Sequence, residues 1–213
     1  VINQKINSFA LSYTGRFILY TTFKNAGTDV WLRDNETQKT SIVLNLDTTK
    51  PLDIAWSETN NYAVIFDPRA RLTIINAENP AKQLQPTSNG LYIHKFQWEK
   101  SSEPQLNYST YDYIYTYSPV LEKSQIIVKN EYLDWHMEDG QLWTIKADKL
   151  SGSYIITKDS LGFSSIFNRV NYNDLNLENN DQNTYINLQL LDARSDTMLI
   201  ETNSRMTLIT NNN

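Results

Sequence analysis

The stretch ALSYTGRFILY, residues 10–20, decides the fold because its pattern returns four more times along the chain. The pattern consists of apolar residues, three or four turn-forming residues, and a strand-like apolar run. It returns as AWSETNNYAVI, QWEKSSEPQLNY, DWHMEDGQLWTI and LLDARSDTMLI, at residues 55–65, 97–108, 134–145 and 190–200. Five copies of one strand–turn–strand unit predict a repeat architecture.

The spacing of the repeats identifies the kind of architecture. One anchor residue stands at the same place in each copy: Leu11, Trp56, Trp98, Trp135 and Leu191. The intervals are 45, 42, 37 and 56 residues, and the longest contains a polar insert at 168–183. A period near 42 residues with four strand-like runs is typical of a propeller blade. We predict an all-β β-propeller of about five four-stranded blades, with an open fragment of a six- to eight-bladed propeller as the alternative.

The whole chain, 1–213, reads as a single propeller domain without helical periodicity. The blade repeats span roughly 7–44, 51–85, 92–129, 131–167 and 184–210. The last repeat has three strand-like runs, and residues 1–6 precede the first blade. We predict that 1–6 fill the missing place and close the ring, because an open ring leaves strand edges unpaired.

The turn between the first two strands carries a family resemblance. Residues 12–16, SYTGR, and 57–61, SETNN, stand between apolar strands, and the first repeat continues to DVWLRD. This resembles the WD40-like repeat of the TolB (PD40-like) type, whose usual turn is Ser-Pro-Asp-Gly-Lys. Residues 136–141 match more loosely, and Glu99 and Asp192 replace the serine in repeats 3 and 5. The resemblance implies a propeller and an envelope or extracellular protein.

A row of tyrosines marks the third repeat. Tyr111, Tyr113, Tyr115 and Tyr117 alternate within STYDYIYTYSP, and alternate residues of a strand share one face. Alignment of YIYTYS with DVWLRD places Tyr113, Tyr115 and Tyr117 on the third strand of their blade. We expect packing between blades, because tyrosine combines a large apolar ring with a hydroxyl that reaches a wetter margin. An exposed binding platform is the alternative.

Composition excludes several classes of partner. The net charge of −5 and the scattered basic residues argue against nucleic acid. The sequence has no cysteine and no apolar run long enough to span a membrane. We expect no cofactor, and a monomeric domain of a longer protein in the cell envelope or outside the cell.

Catalytic constellations are sparse. His94 and His136 lack a nucleophile motif, and we expect both to be hydrogen-bonded strand residues. A glycosidase needs two carboxyl groups facing one bond, and Asp53 and Asp134 lie on the first strands of repeats 2 and 4. They hold different places relative to Trp56 and Trp135, and we expect them to face opposite sides.

The polar insert offers oxygen ligands for Ca²⁺, although it lacks the glycine and terminal glutamate of an EF-hand. The candidate ligands are Asp174, Asn176, Glu178 and Asp181. A solvated loop is the simpler interpretation, so we predict no metal site.

These observations predict a non-catalytic binding or scaffold propeller that recognises a protein or a glycan. Two alternatives remain open. One is a five-bladed glycoside-hydrolase-like enzyme that uses Asp53 and Asp134. The other is the gating propeller of a larger peptidase.

Overall fold

The structure is a computed structural model. It describes residues 5–24, 26–59, 61–67, 69, 71–86, 91–160, 163–171, 188–193, 197–202 and 205–210. The chain divides into two compact units, Val1–Asn130 and Glu131–Asn213.

The first unit consists of three four-stranded antiparallel sheets, each built from strands that follow one another along the chain. The first sheet contains β1 (Ile6–Leu11), β2 (Phe17–Lys24), β3 (Gly27–Asp34) and β4 (Thr40–Leu46). The second sheet contains β5 (Asp53–Trp56), β6 (Tyr62–Asp67), β7 (Arg71–Asn76) and β8 (Gln83–Leu84). The third sheet contains β9 (Lys95–Trp98), β10 (Leu106–Ser109), β11 (Tyr113–Ser118) and β12 (Lys123–Lys129).

The second unit consists of two further antiparallel sheets. The fourth sheet contains β13 (Asp134–Glu138), β14 (Gln141–Asp148), β15 (Ser153–Ser160) and β16 (Phe163–Asn171). The fifth sheet contains three strands in the described residues: β17 (Leu188–Ala193), β18 (Thr197–Thr202) and β19 (Arg205–Thr210).

The predicted β-propeller is confirmed, since the described part of the chain is a succession of antiparallel sheets without a helix. That part also offers no helix that could cross a membrane.

The predicted closing strand falls largely outside the described residues, because residues 1–4 are not described. Ile6, which the sequence analysis assigned to it, belongs instead to β1 and pairs with Thr22 of the first sheet. Ring closure by residues 1–4 therefore stays a prediction.

Strand alternation explains how the sheets of the first unit stack. One face of the second sheet packs on the first sheet, and its other face packs on the third sheet, so its central strands are apolar on both faces. The contact with the first sheet joins Leu19, Val30 and Leu32 to Ala63, Ile65 and Ile75. The contact with the third sheet joins Val64, Leu72 and Ile74 to Leu106, Tyr108 and Tyr117. In the second unit the fourth and fifth sheets share one core, formed by Trp143, Ile145, Ile156, Leu190, Met198 and Ile200.

The tryptophan anchors tie neighbouring sheets together through a repeated hydrogen bond. Trp56 Nε1 donates to the Ala10 carbonyl oxygen at 3.0 Å, and Trp98 Nε1 donates to the Ala55 carbonyl oxygen at 3.0 Å. Each acceptor stands one residue before the anchor of the preceding sheet, so the repeat alignment of these sheets is reproduced in space. Trp98 and Trp135 are buried, whereas Trp56 is only half-buried.

The turns between the first two strands of the first and fourth sheets contain residues in the left-handed conformation. Gly15 has a φ of 72°, and Asp139 and Gly140 have φ values of 50° and 71°. Gly15 N–H donates to the Ser12 carbonyl oxygen at 2.8 Å and closes the first hairpin. Asn60, the equivalent position in the second sheet, lies outside the described residues.

Candidate recognition site

The four alternating tyrosines do not form one uniform surface. β11 begins at Tyr113, so Tyr111 lies in the turn before it. Tyr117 is 3% exposed and belongs to the core between the second and third sheets, where Tyr115 packs half-buried. Tyr113 is partly exposed, and Tyr111 is 70% exposed. The inner end of the row packs between blades as predicted, and the outer end reaches solvent.

Tyr111 belongs to an exposed group of three rings, which we call the aromatic cluster: Tyr92, His94 and Tyr111. The ring centroids of His94 and Tyr111 are 4.0 Å apart, with the rings edge-on at 81°. Tyr92 stacks on Tyr111 at 6.0 Å and meets His94 at 5.1 Å. Tyr92 is 52% exposed, so two phenol rings and an imidazole form a mostly apolar surface open to solvent.

Two hydrogen-bonded segments hold the cluster at one end of the third sheet. His94 N–H donates to the Ser109 carbonyl oxygen at 2.9 Å and extends the pairing of β9 with β10. The turn at 110–112 is closed by Thr110, whose N–H donates to the Tyr113 carbonyl oxygen at 2.9 Å. Asn130 clamps the same turn, because its Nδ2 donates to the Thr110 carbonyl oxygen at 2.6 Å. These hydrogen bonds fix the backbone at His94 and in the turn that carries Tyr111.

Partial burial sets the charge of the cluster. It lowers the pKa of His94, because desolvation disfavours the imidazolium form. The imidazole is therefore mostly neutral at neutral pH. The cluster presents aromatic faces and edges, two phenol hydroxyls and a neutral ring nitrogen, which suits a ligand that combines apolar faces with hydroxyl groups.

The predicted carboxylate pair receives two different environments. Asp134 is buried, and its Oδ2 accepts a hydrogen bond from the Leu190 N–H at 2.5 Å, which joins the fourth and fifth sheets. Asp53 is exposed at the start of β5 in the other unit. The expectation that Asp53 and Asp134 face opposite sides is wrong. Asp53 lies three residues before Trp56 and Asp134 lies one residue before Trp135. These offsets differ by two, and residues two apart point to the same face of a strand. Asp53 stands opposite Phe66, and Asp134 stands opposite Ile145. Each is therefore on the face of its sheet that turns toward the following sheet.

The remaining candidates bring no catalytic group together. His136 is buried, and its Nε2 lies 3.3 Å from a carboxylate oxygen of Glu138 on the same strand. No group of three or more histidine or acidic residues is placed to hold a metal ion within the described part of the chain. The candidate Ca²⁺ ligands Asp174, Asn176, Glu178 and Asp181 lie outside the described residues.

Sequence reasoning considered His94 and Tyr111 separately and missed Tyr92. The signal was present in LYIH, an apolar and aromatic run directly before the first strand of the third sheet. It did not show that this run lies beside the β10–β11 turn, because that juxtaposition depends on the pairing of Lys95 with Ser109.

Comparison with known proteins supports the fold and nothing finer. No family model matches the chain, and no curated protein matches it. Among solved structures, the N-terminal domain of Nup159 is similar over 97% of this chain and 59% of its own, with a TM-score of 0.58 at 8% identity. A chain of a nidogen/laminin complex is similar over 97% of this chain and 76% of its own, with a TM-score of 0.54 at 9% identity. A prolyl endopeptidase is similar over 93% of this chain and 32% of its own, with a TM-score of 0.57 at 10% identity. The chain thus spans about 59% of the length of the Nup159 domain.

Proposed function

We propose that this chain is a non-catalytic recognition propeller that binds a glycan through the aromatic cluster of Tyr92, His94 and Tyr111. The observation that supports this proposal is the exposed arrangement of the three rings on a backbone held by hydrogen bonds. Tyr108 and Tyr117 of the third sheet are buried between sheets, whereas these three rings face solvent. A contiguous exposed aromatic surface is typical of an interaction site.

The chemistry of the rings favours a glycan over a protein. The C–H groups on one face of a sugar ring pack against an aromatic face, while the sugar hydroxyls find the phenol oxygens. A stable protein interface buries about 800 Å² on each partner, and three rings supply only a small part of that area. Tyrosine also costs little conformational entropy when it binds, since it has two rotatable side-chain bonds.

The carboxylates also support a non-catalytic assignment. Asp134 serves as an acceptor for a backbone N–H group between two sheets, which is a structural role.

We place the protein in the cell envelope or outside the cell, because its repeats resemble the TolB type. Fractionation of the native source tests this location, and recovery in the cytoplasm would contradict it.

Binding of wild-type protein to an array of neutral oligosaccharides tests the function. We expect at least one saccharide to bind, and we expect Tyr111→Ala and Tyr92→Ala to weaken it about 2- to 10-fold each, as the loss of one aromatic contact implies. Tyr13→Ala is the matched control, since Tyr13 is an exposed tyrosine outside the cluster. Saccharide binding that neither substitution weakens would show that the aromatic cluster is not the binding site.

Two further results would refute the proposal as stated. Absence of saccharide binding, together with a protein partner whose binding depends on Tyr111, would replace the glycan with a protein. Hydrolysis of an arabinan or fructan that is abolished by Asp53→Asn would show that the propeller is an enzyme.

A further inference from the structure

The first sheet has one face that turns away from the second sheet. Strand pairing places Phe9 opposite Tyr20, Tyr20 opposite Trp31, and Trp31 opposite Ile42 on this face, and Leu11 shares it. We call these five residues the outer face. Phe9 is 66% exposed, Leu11 is 53% exposed and Ile42 is also exposed, whereas Trp31 is half-buried and Tyr20 is buried. Single exposed apolar residues are ordinary, but three of them on one face of one sheet mark a contact surface.

The next two sheets show what this face does. In the second sheet, Ile54 and Trp56 stand at the positions of Phe9 and Leu11, and both pack against the first sheet. In the third sheet, Phe96 and Trp98 stand at these positions and pack against the second sheet. The face that the first sheet leaves exposed is therefore the face that, in the other two sheets of this unit, packs on the preceding sheet.

The indole N–H group of Trp31 is already suited to a dry contact. The Trp31 ring lies parallel to the Tyr20 ring, with centroids 6.1 Å apart and an interplanar angle of 6°. Trp31 Nε1 donates to Thr22 Oγ1 at 2.9 Å within the same sheet. The indole donor therefore needs no acceptor from a partner, and burial of this side chain leaves no N–H group without a hydrogen bond. At the anchor position Leu11 replaces tryptophan and adds no donor.

We propose that the outer face is the contact surface for a further β-sheet, supplied by polypeptide outside these 213 residues, as in the open-propeller alternative and not as in a five-bladed ring closed by residues 1–6. It would pack as the first sheet packs on the second, with aliphatic rows from its central strands like Leu19, Val30 and Leu32. Two of the similar solved structures extend beyond the part that matches this chain, which is consistent with a further sheet. The Nup159 domain and the nidogen/laminin chain each match 97% of this chain, yet this chain spans only 59% and 76% of them.

Thiol labelling tests the proposal, because the chain has no cysteine and Leu11→Cys creates a single reactive group. In the 213-residue protein, we expect this thiol to react as fast as the thiol of Leu121→Cys, an exposed control away from the outer face. In the protein that also contains the encoded flanking residues, we expect the labelling rate of Leu11→Cys to fall by about tenfold or more, as burial in a stable contact requires. The rate of Leu121→Cys should not change, and Phe9→Cys should repeat the result of Leu11→Cys.

Four results would overturn the proposal. Slow labelling of Leu11→Cys in the monomeric 213-residue protein would show that the chain covers the face with its own residues. Slow labelling that becomes fast on dilution would show that a second copy covers it. Flanking coding sequence without strand-forming repeats, or no protection in the longer protein, would show that no further sheet docks there.

Discussion

The hydrogen bond between Trp98 and Ala55 provides a direct test of how neighbouring sheets are joined. β5 is an edge strand of the second sheet, so the carbonyl groups that point away from β6 need hydrogen-bond donors from outside the sheet. Trp98 Nε1 supplies one of them at 3.0 Å, and the Trp98 side chain is only 8% exposed. The side chain thus contributes both a large apolar contact and the hydrogen bond that satisfies a backbone carbonyl.

Two substitutions at Trp98 separate these contributions. Trp98→Phe keeps an aromatic ring in the core and removes the donor, and we expect it to lower the free energy of unfolding by about 1–3 kcal/mol, the cost of a buried acceptor without a partner. Trp98→Ala also removes the ring, and we expect a loss of about 3–5 kcal/mol. Trp31→Phe is the control, because Trp31 donates to Thr22 within its own sheet and is only half-buried. We expect it to cost about 0.5–1.5 kcal/mol.

Urea denaturation provides the measurement. Unfolding should be followed by far-ultraviolet circular dichroism and by the fluorescence of the four remaining tryptophans of the five. The two units of the chain need not unfold together, and disagreement between the two probes would reveal separate transitions. A change of less than about 0.5 kcal/mol for Trp98→Phe, or a change no larger than that of Trp31→Phe, would show that the inter-sheet hydrogen bond does not stabilise the fold.

Three further predictions concern turns and titrating groups. Gly27→Ala should lower the free energy of unfolding by about 1–3 kcal/mol in urea denaturation, because a Cβ there overlaps the Leu46 carbonyl oxygen; an unchanged midpoint contradicts this. Desolvation raises the pKa of Tyr117 to about 12, so the unfolded state loses this proton first and the stability should fall as the pH rises from about 10 to about 12. Tyr117→Phe should flatten that part of the pH profile, and an unaltered slope would exclude this tyrosine as the cause. The hydrogen bond from Arg16 lowers the pKa of Asp34 from its usual 3.8 to about 2. The ionised Asp34 therefore stabilises the fold fully above pH 3.8, and this stabilisation is lost as the pH falls through about 2. Carboxyl NMR titration should show this midpoint, and Arg16→Gln should move it toward 3.8; no movement would mean that Arg16 is not responsible.

The sequence by itself determined the succession of sheets. Strand periodicity and turn chemistry are local, so ALSYTGRFILY and its copies were sufficient to predict short strands joined by turns and the period near 42 residues. Backbone hydrogen bonding within a sheet follows directly from such hairpins, because each strand pairs with the next one along the chain.

Only the tertiary structure decided which side chains are covered. Tyr111 and Tyr117 read alike in the sequence, yet Tyr117 is buried and Tyr111 faces solvent, because Tyr117 packs on the second sheet whereas Tyr111 lies in the turn before β11. The aromatic cluster depends on the pairing of β9 with β10, which brings Tyr92 and His94 beside the turn that carries Tyr111. Burial and proximity are properties of the packed sheets, and a strand pattern specifies only which face a residue occupies.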